Sequence, residues 1–217
     1  MTDGPLSLPA RLCLLAWDSA LPPATDAGHL AGLVRAGALT ELAQRGLLTD
    51  EDGIATPVDL DARAGDAVLD GLLELVHESC PHSWRTWVTL RARVTLDAVR
   101  EQLVAGGYLR AEKKRVLGVF PSVEYALERA AAADALREET LQLLQGPPLV
   151  AELSERDAAL LALAVAADLL PEKDVRANER RVEELTERAG ATAPGLRKIV
   201  REVRTAVAAT LTASALP

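Results

Sequence analysis

The chain has 217 residues, 49% of them apolar and 26% charged, which fits one large globular domain or two small ones and excludes a disordered chain. A net charge of −8 argues against non-specific coating of nucleic acid, and aromatics at 3% leave a core to be built from Leu, Val and Ala. No run approaches the roughly 18 consecutive apolar residues of a membrane span.

The segment from Met1 to Pro9 has neither a basic region nor a signal-like apolar run, so a cytoplasmic location is expected. Cys13 and Cys80 are too few and too far apart to suggest a disulfide framework.

In chain order, Pro9 to Ala16 reads as a short buried helix, and Ser19 to Ala27, with two prolines, as a loop. A helix over about Gly28–Arg45 places Leu30, Val34, Ala38 and Leu42 at helical spacing, and Gly46 stops it. Leu47–Asp59 reads as a hairpin turning at Asp50-Glu51-Asp52-Gly53. Asp66 caps a helix with Leu69, Leu72, Leu73 and Val76 on its apolar stripe. One longer helix is predicted from Trp84 to Ala105, ending at Gly106-Gly107.

A second hairpin is expected over Tyr108–Phe120, with Glu112-Lys113-Lys114 at its tip, followed by a helix from Ser122 to Gln145. Gly146-Pro147-Pro148 breaks that helix. Three more are predicted over Ser154–Leu169, Glu172–Ala189 and Pro194–Thr210. The expected fold class is therefore mainly α, a multi-helix single domain over residues 6–212 with two small β-hairpins and flexible ends at 1–5 and 213–217.

Charge is unevenly spread. Asp50 to Glu78 holds nine acids against Arg63, whereas Arg85 to Arg115 holds eight bases against Asp97, Glu101 and Glu112. Screening confines each patch to about 10 Å at 0.1 M salt, so a local basic surface acts on its own.

Several blocks, in order, carry a resemblance. They are LCLLAWD over Leu12–Asp18, LTELAQRGL over Leu39–Leu47, GDAVLD over Gly65–Asp70, the stretch Val99–Leu109, and the helix Ala159–Leu170. Together they resemble the Golgi phosphoprotein 3 family over about Leu6–Ala209, with the short N-terminus more similar to its bacterial branch. The resemblance implies a largely helical domain with small hairpins and no catalytic activity or cofactor. It also implies a peripheral membrane adaptor, because eukaryotic members dock through phosphatidylinositol 4-phosphate.

The family's headgroup pocket uses a Trp, an Arg nine residues later, and two Arg three apart on a later helix. The first Arg corresponds to Arg35 and the later pair to Arg93 and Leu96, while Asp26 stands where the Trp would be. Two of four positions are kept, which leaves a looser recognition of anionic phospholipid. The expected headgroup-binding residues are Arg35, Arg93, Arg91 and Arg100. Arg110, Lys113, Lys114 and Arg115 form an expected membrane-contact hairpin, with each base near an anionic leaflet contributing about 1 kcal/mol.

Trp84 and Trp87 flank Arg85 and share a helical face with Arg91, as packing residues or as an interfacial rim. His77, Cys80 and His82 lie close in sequence but lack four-ligand zinc spacing, so no metal is expected. No phosphate-loop, dinucleotide or nucleophile-elbow motif is present, and no enzyme is expected.

Two alternatives come from other classes. Leu42-x3-Gly46 and Leu103-x3-Gly107 each precede a hairpin, as in a winged helix that binds DNA. Glu41 and the acidic turn beside it would repel phosphate, which disfavours nucleic acid. The other is a protein-only scaffold, with a protein partner or self-association held by the 108–120 hairpin.

Overall fold

The computed structural model describes residues 6–17, 27–116, 120–146, 149–193 and 195–214, with side chains for all of these except 27, 114–116, 120–122 and 206–214. The elements are α1 (Leu8–Leu15), α2 (Ala27–Gln44), β1 (Leu48–Glu51), β2 (Ile54–Pro57), α3 (Ala67–Glu78), α4 (Trp84–Thr89) and α5 (Ala92–Ala105). They continue with β3 (Leu109–Val116), β4 (Phe120–Leu127), α6 (Ala130–Gln145), a short 3-10 turn, α7 (Glu155–Ala166), α8 (Glu172–Ala177), α9 (Glu179–Thr192) and α10 (Leu196–Ser214).

Two helices have almost no solvent-facing side. From Leu30 to Ala43 α2 is buried nearly throughout, and α7 is buried from Ala158 to Ala164. A helix apolar all round belongs inside a domain. Accordingly α2 packs against α1, α3, α4, α5, α7 and α10, while α7 also receives α6 and α9. The core is built of Leu, Val and Ala, as the low aromatic content requires, with Trp84 and Trp87 as its largest members at 0% exposure.

Local chemistry fixes the element ends. Ser154 Oγ accepts from the Asp157 N–H at 3.1 Å to cap α7, and Asp66 accepts from the Val68 and Leu69 N–H groups at 3.0 Å each to cap α3. The helix–glycine–hairpin echo is real. Gly46 and Gly107 both adopt φ of 70°, and the next residues donate back to the helix, Leu47 to Leu42 O and Tyr108 to Leu103 O, each at 2.9 Å. Glycine takes that left-handed conformation without a Cβ penalty, and each helix feeds directly into its strand.

Both hairpins are antiparallel two-stranded sheets. The first turns at Asp52-Gly53, with φ of 51° and 91°, so its turn is shorter than the four residues expected.

Three expectations are corrected. The helix expected from Trp84 to Ala105 breaks at Leu90–Arg91, where Arg91 has φ of 52°. The segment Ser122–Leu127, expected as helix, is strand β4, whose register pairs Glu112 with Glu124 and Lys113 with Val123. Glu112-Lys113-Lys114 therefore lies along a strand, and the connection at 117–119, with Leu117 and Val119, falls outside the described residues. Finally, Glu172–Ala189 is two helices, α8 and α9, meeting at Asn178, whose side chain donates to Asp174 O at 2.9 Å.

No helix among the described residues is long and apolar enough to cross a membrane.

Candidate anion site at the junction of two helices

Arg35 lies in the middle of α2, where the helix is surrounded by others, and it is 0% exposed. A buried charge is costly unless it is hydrogen-bonded and paired. Arg35 has one bond: Nη2 donates to the carbonyl of Arg91 at 2.8 Å. Nε and Nη1 are buried with no hydrogen-bond partner, and no carboxylate pairs with this guanidinium among the described residues. Burial pushes its pKa down to about 10, which still leaves it charged at neutral pH.

The acceptor of that bond is the N-cap of α5. Arg91 caps with its backbone in the left-handed region and offers no side-chain cap bond, and the first turn of α5 contains no acid. Helix N-termini attract negative charge, and the first amides generally lack partners within the helix; here the Val94 N–H turns back to the Arg91 carbonyl at 3.0 Å, which leaves the amides before it to face an anion. Here Arg91 and Arg93, both exposed, stand at that end instead of the usual Asp or Glu. Basic residues at a helix N-terminus oppose its dipole. The arrangement becomes favourable when an anion sits between the cations and the amides. Three of the expected residues, Arg35, Arg91 and Arg93, are thus brought to one corner.

The remaining expected residues lie elsewhere. Arg100 is one-fifth exposed, its guanidinium sits 5.0 Å from the centre of the Tyr125 ring, and Nη1 is 3.8 Å from Asp97. It anchors the base of the second hairpin. Arg110 pairs with Glu112 at 2.9 Å and Glu128 at 3.6 Å. Lys113 is exposed on the face of the hairpin opposite to Arg110. The backbones of Lys114 and Arg115 pair with Ser122 and Pro121, and their side chains lie outside the described ones.

Of the departures from the family pattern, Leu96 is 1% exposed and fills the core beneath α5, and Asp26 lies outside the described residues. Trp84 and Trp87 are packing residues. Trp84 lies so close to Gly195 that a Cβ there would stand 2.3 Å from its ring, and Trp87 meets His82 edge-on at 5.4 Å. The helix break also parts Arg91 from the Trp face.

The acidic stretch contributes a separate cleft of about 220 Å³, lined by Asp59, Glu74, Glu78, His77 and Arg63 among others. No group of three or more potential metal ligands exists among the described residues. The winged-helix arrangement fails at its first unit, because α2, the helix ahead of the first hairpin, is interior and cannot enter a groove.

Sequence reasoning missed the uncapped start of α5, since it read a continuous helix there. The available signal was the run from Arg85 to Val94, with three arginines and no acid.

A comparison with curated proteins finds no match. The family model for Golgi phosphoprotein 3 matches residues 8–203, from the start of α1 into α10. The chain belongs to the Golgi phosphoprotein 3 family.

Proposed function

We propose that this protein is a non-enzymatic docking adaptor that recognises the anionic headgroups of a membrane surface at the α2–α5 corner. One observation carries the reading: Arg35 is wholly buried, with Nε and Nη1 unpartnered, against an uncapped helix N-terminus. A phosphate oxygen is the kind of acceptor that such donors lack; because Arg35 is wholly buried, the α2–α5 corner must open for one to reach it, and a charge-assisted bond then contributes about 1.5–3 kcal/mol. Arg91 and Arg93 add exposed charge at the same place. With Leu96 in the core, the second arginine of the family's later pair has no counterpart, so the binding is charge-led rather than selective for one inositol phosphate.

The test is co-sedimentation with neutral, generally anionic and phosphatidylinositol 4-phosphate vesicles, at low and moderate salt. Binding to both anionic kinds, weakened by salt and by Arg93→Glu, supports the reading. Retention by neutral vesicles alone, or no difference on Arg93→Glu, would sink it.

A second reading is supported by the hairpin. β3 and β4 form a two-stranded sheet without a third strand among the described residues, and they meet the helical body chiefly through α5. Isolated two-stranded sheets are marginal in water, so a strand edge on a protein partner or a second copy would stabilise this one. Sedimentation velocity before and after deleting residues 112–119 distinguishes a self-associating hairpin from an idle one.

A further inference from the structure

Charge of opposite sign gathers at the two ends of strand β2. At its Pro57 end lies the cleft of about 220 Å³, with Leu60 and Leu73 as apolar lining and Asp59, Glu74 and Glu78 as carboxylates. Glu74 and Glu78 stand one turn apart on α3, and both are exposed. Neither forms an ion pair among the described residues, although Arg63 also borders the cleft. Val58 and Leu60, at 58% and 66% exposure, stand beside it. An apolar lining with unpaired carboxylates suits a long cationic side chain, which lays its methylene stem on the lining and gives its head group to the acids.

At the Ile54 end, the hairpin turn lies against α10. A Cβ on Gly53 would stand 3.3 Å from Lys198 Nζ, and the same ammonium holds Asp50 at 2.7 Å. Arg197, Arg201 and Arg204 are exposed on α10 at spacings of four and three, which put them on one face. Arg197 has Glu187 at 3.7 Å, whereas Arg201 and Arg204 have no carboxylate partner among the described residues. The strand between the acidic and the basic end has four residues, roughly 10 Å.

A surface that carries both signs side by side is complementary to itself. A twofold axis beside β2 sets the basic end of one copy on the acidic end of the other and makes the contact twice. One exposed ion pair contributes little, so the duplication and the apolar contact of Val58 and Leu60 both matter. We infer that this protein pairs with a second copy of itself about β2, with Arg201 and Arg204 of each protomer seated in the Asp59–Glu74–Glu78 cleft of the other. The pairing stands apart from the headgroup reading, which uses the α2–α5 corner, and from the second hairpin, none of whose residues it uses.

The experiment is sedimentation velocity of the full chain over a range of concentrations, at low and moderate salt. The parent is expected to dimerise with rising concentration, and less so as salt shortens the reach of its charges. Two charge-reversed variants are made at exposed positions, Glu74→Lys with Glu78→Lys, and Arg201→Glu with Arg204→Glu. Each faces like charge in its own dimer and is expected to associate about a hundredfold more weakly. Mixing the two variants is expected to restore a dimer with one of each. The reversed cleft then meets the reversed stripe, and the two unaltered faces meet each other.

Recovery in the mixture is a result that misfolded variants do not produce. A parent that stays monomeric at every concentration overturns the pairing. So does a dimer that both variants leave intact and that deletion of residues 112–119 abolishes, which assigns self-association to the second hairpin. Variants that dissociate singly but fail to recover together overturn it as well. None of these outcomes bears on vesicle binding, so the headgroup reading stands or falls by its own test.

Discussion

The backbone N–H of Leu8 donates to Glu41 Oε2 at 2.6 Å, so a side chain from the interior of α2 caps the first turn of α1. Glu41 is 3% exposed, and its other oxygen receives Arg45 at 2.5 Å and Arg156 at 3.4 Å. One carboxylate thus joins α1, α2 and α7. Its cost of burial is offset because both oxygens are satisfied and an amide dipole faces it.

Removing this hub should be expensive. Glu41→Ala leaves the Leu8 N–H and two guanidinium groups without their acceptor, and a loss of about 3 kcal/mol is expected. Glu41→Gln retains an acceptor for Leu8 and should lose about 1 kcal/mol. Urea unfolding followed by far-UV circular dichroism checks both. Equal losses for the two variants would mean that charge, rather than the hydrogen bond to Leu8, holds the joint.

The same pair explains a sequence block. Within the matched segment LTELAQRGL, Glu41 and Arg45 stand four apart on α2, and Gly46 ends the helix with φ of 70°. Elements fixed by such local chemistry were readable from the sequence: the Asp66 cap, the glycine stops at Gly46 and Gly107, and the apolar stripe of α3. The break at Leu90–Arg91 was not readable. Neither residue is a Gly or Pro, and the apolar spacing from Val88 through Ala92 to Val99 continues across it. The left-handed turn there is joined to the rest of the fold by a tertiary contact, the Arg35 bond to Arg91 O, which no local pattern encodes. Strand β4 was hidden differently. Val123 to Leu127 contains Glu and Ala and precedes a genuine Ala-rich helix, so its pairing with β3 decides a conformation that propensity leaves open. Of the candidate site, Arg35 and Arg93 were legible through the family pattern, but the burial of Arg35 and the missing cap were not.

Arg91 provides a test of that tertiary choice. An ordinary side chain at φ of 52° is strained by about 1 kcal/mol relative to glycine. Arg91→Gly should therefore raise stability by about that amount, whereas Arg91→Ala should not. Vesicle binding should fall in both, since both lose the exposed guanidinium. Thermal melts of the three proteins at one salt concentration decide it, and a stabilising Arg91→Ala would show that charge repulsion, not backbone conformation, sets the energy of this corner.

Asp50 gives a pH dependence of known sign. Partial burial opposes its ionisation, but the Lys198 ammonium at 2.7 Å, the Gly53 N–H at 2.7 Å and, last in weight, the nearby Trp84 indole outweigh that and hold its pKa below the usual carboxylate range. A group whose folded pKa is depressed contributes stability above its unfolded value, near 3.9, and loses it as pH falls through the folded value. The contact joins the first hairpin to α10. Asp50→Asn should consequently flatten the acid limb of a stability–pH curve below about pH 4 and lower the plateau above it. Parallel curves displaced by a constant amount down to the lowest pH would show that Asp50 does not titrate through this contact.

Arg35 carries the sharpest conflict between stability and function. Its guanidinium is buried at 0% exposure with a single hydrogen bond to Arg91 O, so the fold gains little from its charge. Replacing a buried charge with an apolar side chain of similar length is often neutral or stabilising by about 1–4 kcal/mol. The unfavourable charge here is compensated by no carboxylate among the described residues. Arg35→Met is therefore expected to be at least as stable as the parent, while Arg35→Gln keeps a donor for Arg91 O and loses the charge. If the site exists to hold an anion, both variants lose vesicle binding, and added pyrophosphate raises the melting temperature of the parent but of neither variant. A destabilised Arg35→Met that pyrophosphate still protects would instead make Arg35 a structural strut for the α4–α5 turn, because the anion would then be held without it.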